Sequence, residues 1–288
     1  MNTFRHTIKG LAVAFSLLPS LYAFSQETEQ VDSSLNKEVL HSTTFGYAGT
    51  AAVYDSYLMP YEYADGFNFR IQRETARMTT LMDGRISNQT FLDANFAADL
   101  FTSGGPSWYT GGIRYSQGWL YNFRDCNVVN PAERTTRKWN YAAGLQASGY
   151  LGGIYIDRSG NNPGQAKLDV MVNATGIVTY TIPNGKHRPF LLSYQLTFPL
   201  LGVAFSPSYG QSYYEIFKLL NYDHNVVFAN LFNMPSNRHR LMFDMPIRRA
   251  KLRLGYDLQI NQARFNNLEY NSITMDFMIG YTKYFYRR

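Results

Sequence analysis

Outside its N-terminal stretch the chain carries four histidines, His41, His187, His224 and His239, the side chains best suited to general-base work near neutral pH. A histidine that activates a serine on the same β-strand needs that serine two positions away, because successive side chains point to opposite faces. The neighbours at that spacing are Val39 and Thr43, Gly185 and Pro189, Tyr222 and Val226, and Asn237 and Leu241, none of them serine. A dyad spread over neighbouring strands leaves His239 with Ser236 or Ser212. No catalytic residue is assigned on this basis. The His, Cys and carboxylate spacings suit no metal site, and phosphate-cradling glycine motifs are absent, so no cofactor is expected.

A second group is ionic. Arg70, Arg114, Arg238, Arg240, Lys251 and Arg253 alternate with apolar neighbours, as do Asp93, Asp99, Asp244, Asp257 and Asp276. If those positions share one face of a closed sheet, six bases and five acids nearly cancel and can pair into a network that fills the interior. The expectation is an occluded lumen, with a small-solute channel as the alternative. A third group, Ser212, Tyr213, Tyr214 and Glu215, breaks the surrounding pattern and reads as a loop or docking segment, or as a short helix folded into a mouth.

The elements that must position these groups are strands. From residue 43 onward polar and apolar residues alternate over segments of about ten, too regularly for any helix. In residues 251–261, Leu252, Leu254, Tyr256, Leu258 and Ile260 share one face, while Lys251, Arg253, Asp257 and Gln259 share the other. Residues 238–245 and 272–285 repeat the pattern, as do segments around 67–72, 92–100, 108–121 and 190–198. Less regular strands are expected near 43–53, 139–153, 168–182 and 224–233. Turn chemistry at Pro183-Asn184-Gly185, Gly104-Gly105-Pro106, residues 159–164 and Pro235-Ser236-Asn237 separates them.

Composition narrows the class. The mean hydropathy of −0.29 is too low for a bundle of membrane helices. Aromatic residues make up 16% of the chain, with 23 Tyr and 20 Phe but 3 Trp, which excludes a disordered chain or a coiled coil. A lone cysteine, Cys126, forms no intramolecular disulfide and reads as a loop residue. Residues 1–25 read as a secretory signal peptide: Arg5 and Lys9, an apolar run from Leu11 to Tyr22, then Ala23-Phe24-Ser25. Residues 26–42 read as a flexible lead-in and 43–288 as the folded domain. Basic residues are spread out and form no nucleic-acid patch.

Export, ten-residue alternation and aromatics near strand ends (Trp108, Trp119, Trp139, Tyr284) together point to an antiparallel transmembrane β-barrel of the bacterial outer membrane and away from a soluble sandwich. Eleven segments are countable and a closed antiparallel barrel needs an even number. Twelve strands are therefore expected, with ten or fourteen as alternatives and the missing strand sought in 200–223 or in a split of 43–66.

The stretch Gly210-Gln-Ser-Tyr-Tyr-Glu-Ile-Phe217, with Ser56-Tyr-Leu-Met-Pro60 upstream, resembles a family of uncharacterised outer-membrane barrels from Bacteroidetes over roughly residues 45–286. The resemblance implies a barrel of monomer size and supplies no catalytic residues. The functional expectation is a non-enzymatic structural or accessory subunit of an envelope complex. Its partners would be outer-membrane lipid and other outer-membrane or envelope proteins, and not nucleic acid. A lipid-modifying hydrolase is the alternative in the enzyme class.

Overall fold

A computed structural model describes residues 38–286 apart from 59–63, 100–107, 124–125, 130–137, 158–162, 186, 223 and 248–249. The signal peptide expected at 1–25 and most of the lead-in lie outside the described residues. Eleven strands follow in order: β1 Glu38–Asp55, β2 Ala64–Met78, β3 Ile86–Ala98, β4 Trp108–Asn122, β5 Trp139–Ile156, β6 Gly164–Asn184, β7 His187–Phe205, β8 Val226–Asn230, β9 Asn237–Ile247, β10 Ala250–Phe265 and β11 Leu268–Tyr286. Strand β1 takes in residues 38–42 as well as the segment read from the sequence.

All pairings are antiparallel, and the sheet closes on itself through β1–β11 and β6–β7. The ring has ten strands, not twelve. The odd segment is β8, which pairs with the upper half of β7 from Leu201↔Asn230 to Phe205↔Val226, while β9 pairs with the lower half from Leu191↔Asp244 to Thr197↔Arg238. β8 and β9 therefore run down the same edge of β7, end to end, interrupted by residues 231–236. Two segments that alternate separately in sequence occupy one position in the wall. Among the described residues no further strand lies in the two places where one was sought: residues 200–205 belong to β7, and β1 is continuous to Asp55 before the turn at Ser56–Leu58.

The hairpin linking β10 to β11 turns on Asn266 and Asn267, with φ of 51° and 62°, the left-handed pair that matches strand twist in a two-residue turn. Gly49 has a different duty. It sits at a register shift of β1, and a Cβ there would strike Asp276 Oδ1 and the Asn68 carbonyl. The missing side chain makes room for a carboxylate.

Alternation sorts the side chains inside out relative to a soluble domain. Phe69, Leu92, Ile113, Leu145, Leu254 and Phe277 stand exposed on the outer wall, whereas Arg70, Gln72, Asp93, Asp257 and Asp276 are buried within it. The interior has three layers. At the end where the 206–236 connection lies (the loop end), inward-facing Ala51, Val53, Ala97, Trp108, Ile154 and Ile156 pack with Leu58. At the end holding the first and last strand residues (the terminal end), Leu40, Ala76 and Met78 pack with Val129 from the β4–β5 connection. Cys126 lies in that connection, buried, with Sγ 3.8 Å from the Trp139 carbonyl. Between the apolar layers lies the ionic one.

Candidate functional site

The ionic layer is built from strands on facing walls. Asp257, fully buried on β10, accepts from Arg238 Nε and Nη2 at 3.0 and 2.9 Å and from Gln72 Nε2 of β2 at 2.5 Å. Arg70 of β2 reaches Asp276 of β11 at 2.8 Å and Asp93 of β3 at 3.3 Å, and donates to Gln259 and Thr274. Asn68 donates to both oxygens of Asp276, at 2.8 and 2.7 Å. Towards the terminal end Glu74 accepts from Arg240 and Arg253, each at 3.1 Å, and Arg253 closes a two-pronged contact on Asp244. Towards the loop end Arg114 forks onto Asp169, both contacts at 3.0 Å, and Lys167 meets Asp55 at 2.9 Å.

Nine of the eleven charged residues singled out from the sequence thus lie in ion pairs. Lys251 donates to the Tyr284 hydroxyl at 3.0 Å and lies over its ring. Asp99 lies just past the end of β3, with its backbone amide on the Trp108 carbonyl. Glu74, Asp169, Asp55 and Lys167 were missed. Glu74 continues the inward run Asn68, Arg70, Gln72 and was there to be counted; the other three sit where alternation is less regular or where a strand ends.

Charges taken out of water persist when each is ion-paired and hydrogen-bonded, and here the facing walls supply the partners. Among the described residues the bore holds small cavities, one of them of about 80 Å³ beside Arg114, Lys167 and Tyr270.

The segment with Ser212, Tyr213, Tyr214 and Glu215 forms a short helix, Tyr213–Phe217. Ser212 and Glu215 are engaged in capping it: Ser212 Oγ accepts from the Glu215 amide and Glu215 Oε2 from the Ser212 amide. Tyr213 stacks on Phe217 and both rings pack against Phe205, while the Tyr213 hydroxyl oxygen accepts from the Ala166 amide at 2.6 Å. Burial pushes its phenol up to about 12. Tyr57, beyond the end of β1, donates to the Gln211 carbonyl at 2.8 Å and ties the segment across the mouth. Tyr214 is exposed.

His41 and His239 have partners other than serine. His41 Nδ1 meets Thr75 Oγ1 at 3.2 Å, and His239 meets Tyr194 and Asn237. Ser236 is turned inward, where its hydroxyl donates to the Gln262 carbonyl and accepts from the Gln262 amide. The side chain of His187 lies outside what the structure describes.

Residues 12–288 match a family described as a protein of unknown function, DUF3316. The chain belongs to that family. No curated protein matches it. Among solved structures it is similar to the outer membrane protease OmpT of Escherichia coli, with 10% identity and a TM-score of 0.48 over 90% of this chain and 100% of that one. The translocator domain of the autotransporter NalP from Neisseria meningitidis matches at 10% identity and a TM-score of 0.40, over 97% and 98% of the two chains. An outer membrane channel from Pseudomonas putida F1 matches at 10% identity and 0.35, over 89% and 100%.

Proposed function

We propose that this DUF3316 chain is an outer-membrane β-barrel with a filled lumen, acting as a non-enzymatic structural or accessory subunit of an envelope complex in a bacterium of Bacteroidetes type. The observation that carries the reading is Asp257, which is fully buried and held from two walls by Arg238 and Gln72. An interior spent on mutual pairing leaves no single-sign ring to select a solute. The membrane placement is supported by the wall itself, which exposes Phe69, Ile113, Leu145 and Phe277 where a soluble barrel would carry polar groups. No helix among the described residues is long and apolar enough to cross a membrane.

The test is purification from native membranes in mild detergent. The protein should fractionate with outer membranes, begin after residue 25, and bring the same envelope proteins with it at constant ratio. Recovery in the soluble periplasm, or as an isolated chain at every detergent strength, would contradict the reading.

A further inference from the structure

We infer that the outer wall around Arg73, Arg77 and Lys283 binds the phosphate of an anionic phospholipid in the periplasmic leaflet of the membrane. Along β2 the outward positions read Phe67, Phe69 and Ile71 and then, toward the terminal end, Arg73, Thr75 and Arg77. Neighbouring strands change character at the same level. On β1 the change falls between Phe45 and Thr43, on β3 between Leu92 and Thr90, and on β11 between Tyr281 and Lys283.

Strand β1 brings the bases together. It lies between β2 and β11, with Thr43 beside Arg73 and His41 between Thr75 and Lys283. Two strand spacings and a two-residue offset put the Arg73 and Lys283 backbones about 12 Å apart, so both long side chains reach a phosphate placed between them. His41 is held at that point, with Nδ1 3.2 Å from Thr75 Oγ1 and its ring edge-on to Phe285 at 5.2 Å. Lys283 Nζ lies over the Tyr281 ring at 5.5 Å.

Neither arginine is engaged inside the protein. Among the described residues Arg73 and Arg77 make no ion pair, and no carboxylate stands on an outward position of β1, β2, β3 or β11 in this half of the wall. The interior arginines Arg70, Arg238, Arg240 and Arg253 are each met by a carboxylate. On the opposite side of the ring the matching outward positions stay aromatic or aliphatic, Tyr180 and Ile182 on β6 and Phe190 and Leu192 on β7, with Arg188 at the very start of β7. The bases thus gather on one side, as a site does and a uniform interfacial belt does not.

A guanidinium on a lipid-facing strand carries a cost that shrinks toward the interface, and a lipid phosphate there offsets it with charge-assisted, two-pronged hydrogen bonds. Tyr281, Phe285, Tyr115 and Trp119 supply the interfacial aromatics at this level. The terminal end has the two-residue connections 185–186 and 248–249, whereas the loop end has 206–236, which sets the terminal end toward the periplasm and its phospholipid leaflet.

The inference rests on the proposed membrane placement, and tryptophan quenching by brominated lipid separates the two claims. In a Trp139→Phe background, Trp119 is an outward tryptophan two strands from Arg77, while Trp108 is buried in the interior. The protein is folded into vesicles of phosphatidylcholine mixed with phosphatidylglycerol, with bromines on the acyl chains of one lipid and then of the other. Phosphatidylglycerol should be favoured about tenfold beside Trp119, and the triple variant Arg73→Gln, Arg77→Gln, Lys283→Gln, shown to be folded by heat-modifiable migration, should bring the ratio to about one. Arg188→Gln should leave the preference intact, and its loss there would reduce the effect to net charge and overturn the site. Equal quenching by both lipids in the wild type, or a preference that survives the triple variant, would overturn the site alone. A preference abolished by inorganic phosphate at matched ionic strength would assign the site to free phosphate and overturn the lipid. Quenching of Trp119 by neither lipid would overturn the membrane placement and the site with it.

Discussion

Arg238 of β9 and Asp93 of β3 face each other from opposite sides of a ten-stranded ring, yet Nη1 and Oδ2 are 3.1 Å apart. Their side chains span the bore, so closing the barrel and completing the ionic layer are one event. Strands 145 residues apart are registered by an ion pair that forms only when every strand between them is in place.

Removing one acid should therefore damage the whole ring. Asp257→Ala leaves Arg238 without its two-pronged partner in a buried site, and its cost is expected to be about 3–5 kcal/mol. Urea unfolding in micelles measures it. Glu269→Ala, which removes the exposed pair with Arg264 at the loop end, should change stability far less, and equal losses would show that the layer is not cooperative.

The outer wall gives a sharper contrast between lipid and water. Leu254 is 38% exposed, and on a soluble surface Leu254→Arg would fall within about 0.5 kcal/mol of neutral. Facing the bilayer midplane it should cost about 2–4 kcal/mol. Folding equilibria into vesicles decide, and a near-neutral result would remove the membrane reading of this face.

Gly49 tests the fit of the carboxylate cradle. Gly49→Ala should destabilise by about 1–3 kcal/mol, because its Cβ meets Asp276 Oδ1 and two backbone carbonyls. Gly176→Ala, with nothing within 4 Å of the new methyl, should be tolerated. Heat-modifiable migration of the two variants, compared over a denaturant series, distinguishes them.

The pattern of hits and misses follows from what alternation encodes. Period-two spacing revealed the ionic face of β2, β9, β10 and β11, because a one-residue slip would put arginine on the outer wall. It could not show that β8 and β9 share one wall position, since that depends on which part of β7 each one pairs with. Nor could it reveal the apolar layers: Val53, Trp108 and Ile154 face inward beyond the ionic zone, where inside and outside are both apolar and the period carries no sign. Ser212 and Glu215 sit three residues apart before Ile216, the spacing of a capping box, so that short helix was legible in principle.

Docking of that helix should weaken in alkali. The Tyr213 phenol titrates at about 12 in the fold against an ordinary 10.0, so the packed state favours the protonated form. The stability this contributes is complete below pH 10 and is lost as pH rises toward 12. Limited proteolysis within residues 206–236 should accelerate across that window, and Tyr213→Phe should flatten the dependence. Unchanged cleavage in the wild type would mean that Tyr213 does not hold the segment.

The most direct test of a filled lumen is single-channel recording of the wild-type protein in planar bilayers. The pairing of Arg238, Arg70 and Gln72 around Asp257, between two apolar layers, predicts no steady conductance at neutral pH and moderate voltage. Asp257→Ala should remain closed as well, because one side chain lost from a dense layer leaves only a small void. A reproducible open level of stable amplitude from the wild type would contradict the account.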